Sequence, residues 1–169
     1  MRLVDDYERD IMGNRYIFAL SDGTRIAFSI EPENVPHLLG VRKLPLRQVQ
    51  NKSAGAVYQQ LKDGWLTLDS FRCWKEEYKK AMNFRHIVSI LHCGDAVRVV
   101  RRIGRLSSSY FLYLDHRPES VIHLGIAEDE SGRWYPESLL VLNKRNVDAY
   151  LRGQCPVEIL SARVERVER

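Results

Sequence analysis

The stretch Val121-Ile122-His123-Leu124-Gly125-Ile126-Ala127 reads as a strand, and its alternation decides what the rest of the chain must supply. In extended backbone Ile122, Leu124 and Ile126 fall on one face, while Val121, His123 and Gly125 fall on the other. The first face is core. His123 points away from it, beside a glycine that removes the adjacent same-face side chain and lets another backbone or a ligand come close. A strand histidine satisfied by one hydrogen bond fits these residues, and so does a histidine at a site. A second segment, Pro36-His37-Leu38-Leu39-Gly40, repeats the pattern of a histidine, apolar residues and a glycine.

Outward from the first stretch, residues 96–100, 110–114 and 139–142 are also strand-like and separated by turn-rich pieces, which predicts an antiparallel or mixed sheet. Residues 15–30 alternate around Ser21-Asp22-Gly23-Thr24 as a β-hairpin does. Pro32 stops its second strand. Asn34 is placed to cap a short helix that carries His37 in its first turn and ends at Gly40. The positive end of the helix dipole there disfavours imidazolium and welcomes an anion.

Residues 53–92 carry helical signals. Ala54, Val57, Tyr58 and Leu61 have helical spacing, Asp63-Gly64 breaks it, and 67–70 opens another turn. Phe71, Trp74, Tyr78 and Met82 form an aromatic stripe expected in the core. Asn83 is placed to cap a further helix ended by Cys93-Gly94, with Arg85 and His86 at its start. A short helix at 146–151, a last strand at 156–164 and a frayed charged tail at 163–169 complete the reading. With no repeat or linker, this is an α+β single domain over 1–169, an N-terminal hairpin and helices packed on a sheet.

Composition sets limits on function. No apolar stretch can span a bilayer, and Met1-Arg2-Leu3-Val4-Asp5-Asp6 is too acidic for a signal peptide, so a cytoplasmic protein without a membrane partner is expected. The net charge of +4 is modest, but its placement is uneven: Arg98, Arg101, Arg102 and Arg105 cluster, as do Arg42, Lys43 and Arg47. Such clusters suit a phosphate backbone or a solvated basic face. Cys73, Cys93 and Cys155 are odd in number and lack Cys-x-x-Cys spacing, which argues against a disulfide framework or structural zinc and predicts buried thiols. His92 and His116 sit in turn-like contexts and are expected at the surface. Ser138 follows Pro136-Glu137 and is expected to enter the sheet from a turn, where a serine can cap its own backbone. No Gly-x-Ser-x-Gly elbow, phosphate-binding glycine loop or paired-histidine metal motif occurs, and no cofactor is called for.

The succession Tyr16-Ile17-Phe18 to Phe28, Asn34-Val35-Pro36-His37-Leu38-Leu39-Gly40-Val41, the helical middle, Tyr110-Phe111-Leu112-Tyr113, His123-Leu124-Gly125-Ile126 and Tyr135-Pro136-Glu137-Ser138 resembles the phage-associated nuclease domains of the barnase/EndoU/colicin/RelE-like (BECR) group, in particular its fourth phage subgroup. The likeness covers roughly residues 10–151. It implies helices packed on a β-sheet and metal-independent RNA cleavage by a toxin- or effector-like domain in conflict between phage or mobile elements and bacteria. It also implies RNA as substrate and an immunity or antitoxin protein as partner; oligomeric state is left open. Carried over by motif, the histidine of the family's His-Leu-x-Gly falls on His37, that of its His-Leu-Gly strand on His123, and the serine after its proline turn on Ser138. These are the catalytic candidates. Leu139 stands where an aromatic residue is common; Lys43 is expected to bind substrate phosphate together with one or more of Arg85, Arg101 and Arg102, among which the basic residue after the helical middle is open. Cleaving RNA without metal needs a base for the 2′-hydroxyl, an acid for the departing 5′-oxygen and donors for the phosphorane, and two histidines can share the proton transfers. The alternative is a catalytically inactive nucleic-acid- or protein-binding module of the same fold.

Overall fold

The computed structural model of the chain describes residues 2–47, 49–115, 120–143, 145 and 151–167; the side chain of Cys93 falls outside it. The alternating residues around the Asp22-Gly23 turn form β1 (Asn14–Leu20) and β2 (Arg25–Ser29), paired antiparallel with Phe18 opposite Ile26. Before them runs α1 (Asp5–Asp10), which Tyr7 anchors by donating its hydroxyl proton to the Ile30 carbonyl at 2.9 Å. After them comes α2 (Val35–Leu38), a single turn. Asn34 does not cap it, because its side-chain oxygen accepts from the Glu31 amide at 2.7 Å instead.

The helical middle divides at its turn residues. α3 (Ala54–Lys62) is capped by Ser53, whose Oγ accepts from the Ala56 amide at 3.2 Å. A 3-10 turn over Leu68–Phe71, closed reciprocally by Thr67 and Ser70, leads to α4 (Lys75–Asn83). A second 3-10 turn, Phe84–His86, leads to α5 (Ile87–Cys93). The aromatic stripe is not one core face. α4 starts only at Lys75, so Phe71 belongs to the preceding turn and the helical phase is interrupted; Phe71 is buried, whereas Trp74 and Met82 are 37% and 44% exposed. Asn83 does not cap α5 either, since its Nδ2 donates back to the Lys79 carbonyl at 2.8 Å.

The strands that follow are β3 (Asp95–Arg98), β4 (Tyr110–Leu114), β5 (Ser120–Glu128), β6 (Trp134–Asn143) and β7 (Cys155–Val157). They form an antiparallel sheet ordered β6-β5-β4-β3-β7, which leaves β6 at one edge. The single last strand expected at 156–164 is two strands. The chain leaves the five-stranded sheet after β7 and enters the other as β8 (Ile159–Arg166), giving the order β2-β1-β8. Residues 163–166 are therefore not frayed: they pair with residues 14–17 of β1. The expected turn at 135–138 also proves to be strand. Pro36 apart, Pro136 is the proline that matters here: it is tolerated because β6 is an edge strand and Pro136 sits where the register shifts between Gly125 and Ile126. The turn falls earlier, where Asp129 accepts from the amides of Ser131 and Arg133.

Leu112, Ile122, Leu124, Ile126, Leu139 and Val141 lie on the face that joins Phe84, Ile87, Ile90 and Leu91 in the main core. The sequence alternation assigned that face correctly. The opposite face carries Phe111, Val121 and His123, and it is buried as well. Cys73, expected buried, is exposed in the irregular link before α4, and Cys155 is half-buried. His92 is exposed, as expected. His116 and, apart from Leu151, the helix expected at 146–151 lie outside the described residues. Among the described residues no helix is long and apolar enough to cross a membrane.

Candidate active site

The turn that follows α2, the face of α4 and the edge strand β6 converge on a cavity of about 490 Å³. α2 contributes His37, the turn contributes Arg42 and Lys43, and α4 contributes Lys80. β6 supplies Glu137, Ser138 and Leu140, while Arg105 and Leu106 come from the connection between β3 and β4. Lysine and arginine side chains outnumber carboxylates on this wall, so the cleft is suited to an anion.

Gly40 makes the convergence possible. It holds φ at 72°, and a Cβ there would stand 3.0 Å from Cγ of Glu77 on α4. Glu77 is nearly buried and pairs with Lys43 at 3.7 Å. Lys80 lies one helical step further on. Burial pushes the Lys80 ammonium pKa down and nearby Lys43 acts in the same sense, with Glu77 and Glu76 opposing.

The other wall owes its form to the bulge in β6. Ser138 pairs with Gly125 and Pro136 with Ile126, so Glu137 is the extra residue and turns to the cleft side. Its carboxylate accepts from the Ser107 amide at 2.8 Å, from the Ser107 hydroxyl at 2.6 Å and from the Ser108 hydroxyl. Burial raises its pKa, but the bonds from Ser107 and Ser108 outweigh burial and leave it lowered, so Glu137 is an anchored anion. Gly125 allows this packing, since a Cβ there would lie 2.6 Å from Ser138 Oγ and would strike Ser108 Oγ as well. The Ser138 hydroxyl is buried and has no hydrogen-bond partner among the described residues.

His37, Lys43 and Ser138 thus line one cavity. His123 does not join them on the wall. It shares the sheet face of Ser138 and lies opposite Leu140, yet it is fully buried. Its ring sits 5.8 Å from that of Phe111 and 5.8 Å from that of Tyr113. Burial lowers its pKa to about 4, against a backbone hydrogen bond at Val121 and the charge of Asp115. The reason is position: a residue facing away from the main core is still buried when it lies in an interior strand whose second face is also covered. Of the arginine candidates, Arg85 lines a different cavity with Arg2 and Asp6. Arg102 lines an adjoining trough, and Arg101 lies beside Gly153, its amide bonded to Gln154 at 3.0 Å.

Lys80 and Glu137 are cleft residues that the sequence did not disclose. Only the i,i+3 relation of Glu77 and Lys80 places Lys80 on the face that meets Gly40. Glu137 becomes legible once Pro136 is taken as an edge-strand proline at a bulge. Among the described residues no group of three or more His, Cys, Asp or Glu side chains is placed to hold a metal.

An α+β domain with helices on an antiparallel sheet, and a basic cleft at the sheet edge holding a histidine and an unpartnered serine, has the features of a domain that handles a phosphate-bearing polymer. The chain belongs to the PBECR4 family, phage-Barnase-EndoU-ColicinE5/D-RelE like nuclease4, whose model matches residues 1–165. The match runs beyond the 10–151 spanned by the sequence motifs and takes in α1 and most of β8. It makes the protein a member of a nuclease family with a BECR-like fold. No curated protein and no solved structure matches the chain.

Proposed function

We propose that the protein is an endoribonuclease that works without a metal ion, cutting RNA by attack of the 2′-hydroxyl on the adjacent phosphate. The observation that carries this reading is the orphaned Ser138 hydroxyl, in one cleft with His37 and Lys80. A buried hydroxyl without a partner costs about 1–3 kcal/mol, which a phosphate oxygen accepting its proton would recover. His37, exposed on the same wall, takes the 2′-hydroxyl proton. The 2′-oxygen bonds to phosphorus, the bond from phosphorus to the 5′-oxygen breaks, and Lys80 gives a proton to the departing oxygen. A lysine ammonium with a lowered pKa is a better acid for that purpose than an ordinary one. Ser138 donates to a non-bridging oxygen, and Lys43 and Arg105 hold flanking phosphates. His123 supports the strand below the cleft in this scheme, because its ring does not line the cavity.

In a cell such an enzyme acts as a toxin or effector of phage or mobile-element origin, and an immunity or antitoxin protein that covers the cleft would silence it. The test is incubation of the purified protein with RNA in EDTA, beside the same sequence carrying 2′-O-methyl groups. Cleavage of the first alone, ending in 2′,3′-cyclic phosphate, is the expected result. Binding without cleavage would favour an inactive binding module, and cleavage of both would remove the 2′-hydroxyl from the mechanism.

A further inference from the structure

A second cavity, of about 540 Å³, opens at the end of the five-stranded sheet. Arg25, Arg98, Tyr110 and Trp134 are on its wall. Between it and the cleft runs a trough of about 400 Å³ that contains Arg102. The trough shares Leu106 with the cleft and Val99 and Ser108 with the second cavity, so it borders both. Glu137 fixes the floor between them by holding Ser107 and Ser108.

Charge and aromatic chemistry along the path both favour a polyanion with flat bases. Arg25, Arg102 and Arg105 are exposed and have no ion-pair partner among the described residues, whereas Arg98 is 3.6 Å from Asp22. At the far end Trp134 is half-buried and meets the Tyr110 ring edge-on at 5.7 Å. Tyr110 is itself fixed, donating to Asp22 at 2.8 Å and lying 2.8 Å from the Thr24 hydroxyl. An indole held in this way is a preorganised surface for any nucleobase, and guanidinium groups beside it suit phosphates. Glu128 and Asp22 are the carboxylates near it, and Asp22 is already paired with Arg98.

We propose that this second cavity is a flanking-nucleotide subsite, which stacks a base of single-stranded RNA on Trp134 while Arg25 and Arg102 hold the backbone that leads to the cleft. Trp134 pairs with Glu128 and Ser138 with Gly125, so the bulge puts the two side chains on opposite faces of the sheet, and an RNA strand joining them passes round the sheet end where Arg102 stands. The inference rests on the endoribonuclease reading for the direction in which substrate enters. Its binding test does not depend on cleavage.

Uncleavable 2′-O-methyl oligonucleotides of two and of six residues, competing against a labelled six-residue strand, measure the subsite directly. Wild type should prefer the longer strand by roughly tenfold or more, the gain expected from one stacked base with its phosphates. Arg25→Glu and Arg102→Glu, both at exposed positions, should each remove most of that preference and leave two-residue binding unchanged. Trp134→Leu should do the same, with Trp134→Phe retaining part of the preference. Equal affinity for the two lengths, or equal losses on both in the arginine variants, would overturn the subsite. If the protein cuts no RNA yet shows the length preference and loses it in these variants, the endoribonuclease reading fails and the subsite stands.

Discussion

The imidazole of His37 is in contact with water on the cleft wall, whereas that of His123 is enclosed between aromatic rings, and this difference decides what each substitution should do. His37→Ala removes a proton-transfer group from an exposed position, so cleavage should fall by about a hundredfold to ten-thousandfold while the urea midpoint hardly moves. A large loss of stability in that variant would show His37 to be structural. For His123 the expected consequence is a pH dependence of folding. Its pKa is lowered to about 4 in the folded chain, against about 6.5 in an unfolded one. The unfolded state therefore binds the extra proton first as pH falls, and stability is full above about pH 6.5 and declines towards pH 4. Between pH 7 and pH 5 the loss from this residue should be roughly 2 kcal/mol. Urea denaturation at the two pH values measures it. His123→Leu should flatten the dependence over that interval, and an unchanged slope would show that another group sets it.

At the scale of elements, the tie between β6 and the β3–β4 connection is a carboxylate accepting three hydrogen bonds, two of them from hydroxyls. Glu137→Gln keeps the shape and removes the charge, and it should cost about 1–3 kcal/mol, since bonds to an ionised acceptor are stronger than neutral ones. It should also speed proteolysis of the segment at 99–109. Unaltered protection there would mean that the tie does not hold the segment. This contact also shows where sequence reading ends. The hairpin, the strand at Tyr110–Leu114 and the core face of β5 were legible because each follows from an alternation within one element. The bulge at Glu137 was hidden because Pro136 resembles turn chemistry until the strand is known to be at an edge. His37 and Ser138 are marked in the sequence by the motifs that carry them. Lys80 reaches the site only through the approach of α4 to Gly40, and His123 leaves it only because its sheet is covered on both faces; neither depends on local pattern. The stripe breaks at Trp74 and Met82 for a related reason, namely that a 3-10 turn resets the phase before α4 begins.

Over the whole molecule, the two sheets are joined by the crossing from β7 to β8 at Glu158. Its amide donates to Ser21 Oγ at 2.9 Å, and its carbonyl accepts from the Ser21 amide at 2.9 Å. A chain stopped after residue 158 would leave β1 paired on one side only, exposing the backbone groups that now meet β8. Such a truncation should lose cooperative unfolding and gain dye-binding apolar surface, as followed by denaturation and fluorescence. Retention of the full-length midpoint would show β8 to be dispensable. β8 has a further consequence in time. The bond from Arg166 to Asn14 joins residues 152 positions apart, so the first hairpin is made long before its second neighbour. The three-stranded sheet therefore closes only after the helices and the whole five-stranded sheet have been made. If that closure steadies the rest of the fold, the cleft residues of α4 and β6 are all made before the nascent domain reaches its full stability.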